Sequence, residues 1–438
     1  MANTYLSRTG ISGANQKKWT FSGWFKKSSN GSELRLITSS DNSSYDDTIK
    51  FKSADKIEVV FNNAIALTTN RLFRDNNAYY HIVVKVDTDQ ASANDRVVLY
   101  INGVDERTVG GYSTSNMPNQ GVTGYINYNA FYIGVTNPTA NSNHFNGIMS
   151  HVHFTDGYAY DASAFGEFDA NGVWKIKTSP SVSYGTTGFW ILKDGNSVTD
   201  QSGNSNNFTV GGGTLTNTED SPSNVFATMN PLDNNYASST FSNGNNTIVT
   251  NSGNYTYNTA TLGASSGKYY WEVKVDNTST VDVIGITGKL STASTYFLGT
   301  SNDSVGYEDS GVYYTNNSQV SPYGDSYTTN DIIGVAMDLD NNKLYFSKNG
   351  VFQNSGVPTS GATGTGAIDI TTSSTGFYFP ALGDYTSAAI STFSTNFGNG
   401  YFGTTAVSSA GTNASGIGIF EYDVPTGYTA LSTKGLNL

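Results

Sequence analysis

Cysteine is absent from the 438 residues, which removes disulfides, thiolate catalysis and every thiolate metal site. Charge is thin as well. Lys, Arg, Asp and Glu make up 13% of the chain, about half the usual share, and proline is scarce at nine residues. The 23 basic residues fall short of the 35 acidic ones, so a net charge of −12 lacks the basic footprint that nucleic acid requires. The same sign repels anionic membranes and weakens approach to anionic polysaccharides unless cations bridge. No run of 18 apolar residues occurs, so no membrane insertion is expected. Met1 to Trp19 contains no apolar h-region, so the expectation is a chain without a signal peptide, made and kept soluble in a cytosol. Coiled coils and helical bundles need Ala, Glu, Lys, Leu and Arg in quantity, and this sequence does not supply them.

What the sequence does have is ring and turn chemistry. Aromatics reach 13%, with 29 Tyr, and 47 Gly are spread among Asn, Ser and Thr. Such a chain can bury a core, so disorder is excluded, and its length points to two or three domains. Trp19, Phe21 and Phe25 recur at period two, His81 to Val86 is nearly continuous apolar text, and Val97 to Ile101 runs into Asn102-Gly103, a strong hairpin signal. Further strands are expected at Tyr132–Val135, Ile148–Phe154 and Phe189–Leu192. Residues 211–224 are Gly, Thr, Asn and Ser with little to bury, which reads as a linker over 213–224 between domains at 1–212 and 225–438. Beyond it, Trp271, Val273 and Val275 point inward and Glu272, Lys274 and Asp276 outward. Ile332–Leu339, Leu344–Ser347 and the Asn349-Gly350 turn read as successive hairpins. Helix is expected only as one short turn near Asp161–Phe168. The expected fold is all-β, two tandem sandwiches.

Several constellations invite a chemical reading. Glycoside hydrolysis needs two carboxyl groups roughly 5–10 Å apart, and a sandwich would supply them from a Glu-x-Asp-x-Glu run on one strand face. No such run exists; Glu272 with Asp276 is interrupted by Lys274, and Asp338 and Asp340 precede a turn, so both pairs are expected to be structural. His151 and His153 share one face of a regular strand, with His144 and Asp156 nearby, and could offer zinc two ligands or simply pack in the sheet. Asp194-Gly195-Asn196 and Asp200-Gln201-Ser202-Gly203-Asn204 are oxygen-rich loops suited to calcium, or to turns alone. Gly211–Gly213 is followed by neither helix nor Lys, so it makes no phosphate cradle. No cofactor other than this possible calcium is expected, and no catalytic residue. Tyr307, Tyr313, Tyr314, Tyr323 and Tyr327 cluster among Asp, Ser, Gly and Asn, the mixture of rigid rings and adaptable polar groups that makes recognition surfaces. The competing reading places them on half-buried strands.

Tyr5–Thr9, Lys18–Lys27, Tyr80–Val84, Leu99–Gly103, Phe145–Gly157, Tyr184–Trp190 and Asp200–Asn204 follow one another in an order that resembles the laminin-G-like, concanavalin-A-like domains of bacteriophage structural proteins. Gly267–Val273, Val283–Ile286, Asp331–Asp340, Leu344–Gly350, Phe377–Ala381 and Asn396–Gly398 resemble a SPRY domain. The joint Asp220–Pro231 and the ending Tyr422–Tyr428 are similar to those of such phage proteins. The resemblance implies two concanavalin-A-like jelly-roll sandwiches in a non-enzymatic virion protein. It would be a short fibre or a capsid or tail appendage that attaches to a host-surface glycan or protein receptor. Such proteins assemble in the host cytoplasm as homo-oligomers, commonly trimers, beside other virion proteins. A virion polysaccharide depolymerase and a cellular surface lectin are the alternatives. SPRY domains bind through one end of the sandwich, which the resemblance places near Tyr313, Tyr314, Tyr323 and Tyr327 as receptor-binding residues.

Overall fold

The computed structural model describes residues 3–11, 14–40, 46–193, 195, 197–251, 255–278, 281–290, 293, 295–385 and 390–438. It divides into two compact units, Met1–Asn217 and Thr218–Leu438. Each is built on a pair of large β-sheets with a two-stranded sheet besides, and α-helix among the described residues is confined to Glu106–Val109. The turn expected near Asp161–Phe168 is the 3₁₀ segment Ala162–Ala164.

In the first unit an eight-stranded sheet faces a six-stranded one. The centre of the smaller sheet is Lys18–Lys27, antiparallel to Tyr80–Asp87 on one side and to Gly147–Asp156 on the other. Period-two alternation sends Trp19, Phe21 and Phe25 between the sheets, where they meet Leu36, Ile49, Val59 and Phe131. The opposite face of that strand is also closed: Thr20, Ser22 and Trp24 are buried. A cover carrying Phe165 and Trp174 lies there, and Trp174 Nε1 donates to His81 Nδ1 at 2.9 Å. That makes Nδ1 the acceptor, so Nε2–H donates to Ser22 Oγ, also 2.9 Å away. Desolvation pulls the His81 pKa down to about 3, consistent with a neutral ring locked by two partners.

In the second unit Lys268–Asn277 lies between Ile332–Asp338 and Thr392–Asn396. Trp271, Val273 and Val275 face Ile284, Ile286, Tyr307 and Leu382 of the seven-stranded sheet opposite. Asn349 and Gly350 both have positive φ (49° and 83°), as a two-residue type I′ hairpin demands, and Asn102 and Gly103 repeat the pattern at 49° and 80°. The outward-pointing set departs from expectation. Glu272 is fully buried, because residues 420–430 lay Phe420, Val424 and Tyr428 over Tyr270, Ala336 and Tyr345 as a third layer.

Candidate functional site: an aromatic face on the second sandwich

The four tyrosines expected to form one recognition surface are divided by the pleat. Tyr327 is 3% exposed, with its hydroxyl 2.9 Å from the carbonyls of both Asp282 and Tyr307. Tyr323 is 5% exposed and packs edge-on against Tyr307. Burial takes both out of the receptor-binding set; they are core. Tyr313 and Tyr314 are neighbours on the strand Tyr313–Thr315 and point to opposite faces. Tyr313 turns inward onto Tyr323 at 5.2 Å, and Tyr314 turns outward.

Around Tyr314 the outer face of the seven-stranded sheet collects rings from distant parts of the chain. Phe297 and Tyr385 stand 4.1 Å apart, centroid to centroid, and each lies 5.2 Å from Tyr314. Tyr255 completes the group, 6.0 Å from Tyr385. Sheet order explains the meeting: Thr256–Ala260, Phe379–Asp384, Asp282–Thr287, Ser304–Glu308 and Tyr313–Thr315 are successive neighbours. Gly299, at φ 110°, lets the Phe297 loop lie against Tyr314, since a Cβ there would come within 2.6 Å of the Tyr314 Cβ.

Beside these rings opens a cavity of about 450 Å³, lined by Tyr257, Lys289, Leu290, Tyr296, Phe297 and Ser301. Its volume is that of small-molecule sites, and its walls combine apolar rings with a few polar groups. Tyr296 is 40% exposed. Next to Asn235, whose amide donates to the Tyr296 carbonyl at 2.7 Å, Tyr236 is 56% exposed and held at φ 55°. A bulky side chain in left-handed backbone is uncommon and tends to mark functional surfaces. Desolvation raises the Tyr314 phenol to about 12, so it stays a neutral hydrogen-bonding group. The arrangement can stack planar or apolar ligand faces and hydrogen-bond their rims.

The other sequence candidates resolve as structure. A bulge between Ser150 and His153, with His151 at φ 49°, breaks the regular strand assumed for the histidine pair. His153 is buried between Trp190 at 5.0 Å and the Tyr184 hydroxyl at 2.9 Å, and His151 bonds Ser150 Oγ. Asp156 spends its oxygens on the amides of Asn15, Thr186 and Thr187 and on Asn127. His144 lies apart, beside Asn141. Among the described residues no three His, Cys, Asp or Glu side chains converge on a metal position. In the proposed calcium loop Asp200 already accepts from the amides of Trp190, Ser202 and Asn206 and from Ser202 Oγ, so turn chemistry accounts for it. Asp194 and Asn196 lie outside the described residues. Glu272 accepts from the amides of Glu421 and Tyr422 and from Tyr270 and Asn396. Asp338 binds Lys268 at 2.9 Å, and Asp340 caps the Gly267 amide.

Residues 2–162 match the concanavalin A-like lectin/glucanases superfamily model of the laminin G type, and residues 268–374 match the SPRY domain model. Over 91 residues the chain is 34% identical to an ATP-dependent RNA helicase DDX1 of Xenopus laevis, covering 21% of this chain and 12% of that protein. It is 34% identical over 89 residues to Ran-binding protein 9 of Danio rerio, covering 20% and 15%. The chain thus spans under a sixth of the length of these curated relatives. The solved SPRY domain of human HERC1 is similar at 18% identity and a TM-score of 0.30, over 38% of this chain and 96% of that one. Tyr255 and Tyr385 fall outside the matched SPRY segment, so two of the four clustered rings come from text beyond it. This chain carries a concanavalin-A-like domain followed by a SPRY domain.

Proposed function

We propose that this chain is a non-enzymatic adhesion protein that binds a neutral glycan through the outer aromatic face of its second sandwich. The observation that carries the reading is the pair Tyr314 and Tyr385, backed by the buried ring of Phe297 and flanked by the exposed Tyr296, beside an open cavity of about 450 Å³. A cavity of that size suits a few sugar residues better than a protein interface, which needs roughly 800 Å² from each partner. A net charge of −12, with Lys289 the one cation among the described lining residues, favours a neutral ligand over an anionic polymer. Non-enzymatic binding is supported by the buried, structural roles of Glu272 and Asp338.

In the same reading the protein is a bacteriophage surface appendage, a short fibre or a capsid or tail decoration. It assembles in the host cytoplasm as a homo-oligomer, a trimer by analogy, beside other virion proteins. The ordered resemblance of its segments to phage structural proteins supports this, as does a Cys-free polar β-fold suited to survival outside the cell. Weak single-site stacking then becomes useful adhesion through several copies. Mass spectrometry of purified particles should find the chain, and purified chain should compete with particles for host cells. Its absence from particles removes the virion reading, and release of oligosaccharides from host capsule would replace adhesion with depolymerisation.

A further inference from the structure

Burying a carboxylate without partners is expensive, and this protein avoids it almost everywhere. Asp47 accepts from the amides of Asn62, Tyr125 and Ile126. Asp303 accepts from Ser301 and twice from Ser374, while Asp200 and Glu272 each collect four donors. Asp384 is the exception. It is 1% exposed, and among the described residues no donor stands in hydrogen-bond geometry to either carboxylate oxygen. No ion pair among the described residues reaches it.

Its neighbours make the situation more pointed. Asp282, fully buried, stands directly opposite Asp384 in the antiparallel register of Asp282–Thr287 and Phe379–Asp384. Directly opposed residues lie about 5 Å apart at Cα and point the same way. The face is the inner one, since Ile284 and Leu382, two positions along, belong to the core. Thr250 and Ser391 bring hydroxyls towards Asp384, yet both protons go elsewhere. Ser391 Oγ donates to Asp282 Oδ1, and Thr250 Oγ1 donates to the Ser391 carbonyl. The hydroxyls therefore offer Asp384 lone pairs. Oxygens gathered with no proton between them repel, unless something positive lies among them.

The geometry points to a calcium site at this end of the second sandwich, built from the carboxylates of Asp282 and Asp384 and the hydroxyl oxygens of Thr250 and Ser391. The donor set is all oxygen, with no nitrogen or sulfur, which selects a hard cation. Mixed carboxylate and hydroxyl donors on two sheets suit the flexible coordination of Ca²⁺. Mg²⁺ demands near-ideal octahedral geometry and keeps several waters, so it is less suited to a site whose donors are mostly the protein's own oxygens. The ion would join Phe379–Asp384 and Asp282–Thr287 to the Thr250 and Ser391 segments opposite, pinning the two sheets together. The site lies on the inner side of the sheet, whereas Tyr385, the next residue, belongs to the outer aromatic face.

The test uses the full chain, stripped with EDTA and then titrated with CaCl₂. One equivalent should bind by equilibrium dialysis, and a saturating excess should raise one unfolding midpoint by roughly 5–10 °C. Asp384→Asn removes a repelling charge, so it should fold, unfold in EDTA no lower than the parent, and lose the calcium response. Two results overturn the site: an equal calcium response in parent and Asp384→Asn, or no calcium response in the parent. If the parent ignores calcium but gains more stability between pH 7 and pH 5 than Asp384→Asn does, a shared proton occupies the place assigned to the ion.

Discussion

Adjacent residues on a strand cannot share a face, and the tyrosines of the second sandwich turn on that constraint. Tyr313 and Tyr314 were separable on the page by parity alone, but the burial of Tyr323 and Tyr327 was not. Both lie in irregular text after a hairpin, where no period exists to read, and their company of Asp, Ser and Gly resembles a binding loop. Tyr327→Ala should cost roughly 3–5 kcal/mol in denaturant titrations, as large-to-small core changes do. Tyr296→Ala, on the exposed rim, should cost less than about 1 kcal/mol. Glu272 gives a second prediction at this scale. Burial pushes its carboxyl from 4.5 up to about 7, against four donors that favour the ionised form. A folded pKa above the unfolded one means the native state holds the extra proton, so this contribution is complete below about 4.5 and is lost as pH rises through about 7. Its size is on the order of 3 kcal/mol. Glu272→Gln should therefore flatten the fall in stability between pH 5 and pH 8, and identical slopes in the two proteins would contradict the assignment.

At the scale of elements, the sequence was most legible where a period ran cleanly. Lys18–Lys27, Lys268–Asn277 and the Asn102-Gly103 and Asn349-Gly350 hairpins were all readable from alternation and turn chemistry. Alternation predicts two faces but not what covers the second one. Both sandwiches bury it, under the Phe165–Trp174 cover in one unit and under residues 420–430 in the other. The available signal was local: Tyr270 beside Trp271 is a strand with an aromatic on each face, which is costly unless both are covered. The Asn349-Gly350 turn reports on that third layer. A Cβ on Gly350 would sit 2.6 Å from the Tyr422 ring in addition to straining a φ of 83°. Gly350→Ala should cost about 1–2 kcal/mol from the backbone alone, and protease cleavage after Tyr422 should rise if the layer lifts. Unchanged stability and unchanged cleavage would mean that the third layer does not depend on this turn.

At the scale of the whole molecule, the candidate site was the least legible part of the sequence. Tyr255, Phe297, Tyr314 and Tyr385 are spread over 131 positions and meet only because five strands adopt one particular order. No spacing encodes that order. The two domain types, in contrast, follow from short ordered segments, and the family models match within both halves. If the chain works as an appendage in several copies, light scattering should give a homo-oligomer, and cell binding should fall far more steeply on dissociation than the affinity of one site does. The central claim is that the outer aromatic face of the second sandwich recognises a glycan, and the most direct measurement is binding of the full labelled chain to a panel of immobilised neutral and acidic glycans. The parent should bind at least one neutral glycan, and a Tyr296→Ala, Tyr314→Ala double variant with unchanged unfolding should bind it at least about tenfold more weakly, since aromatic anchors carry most of such contacts. Equal binding by parent and double variant, or binding to acidic glycans alone, would contradict it.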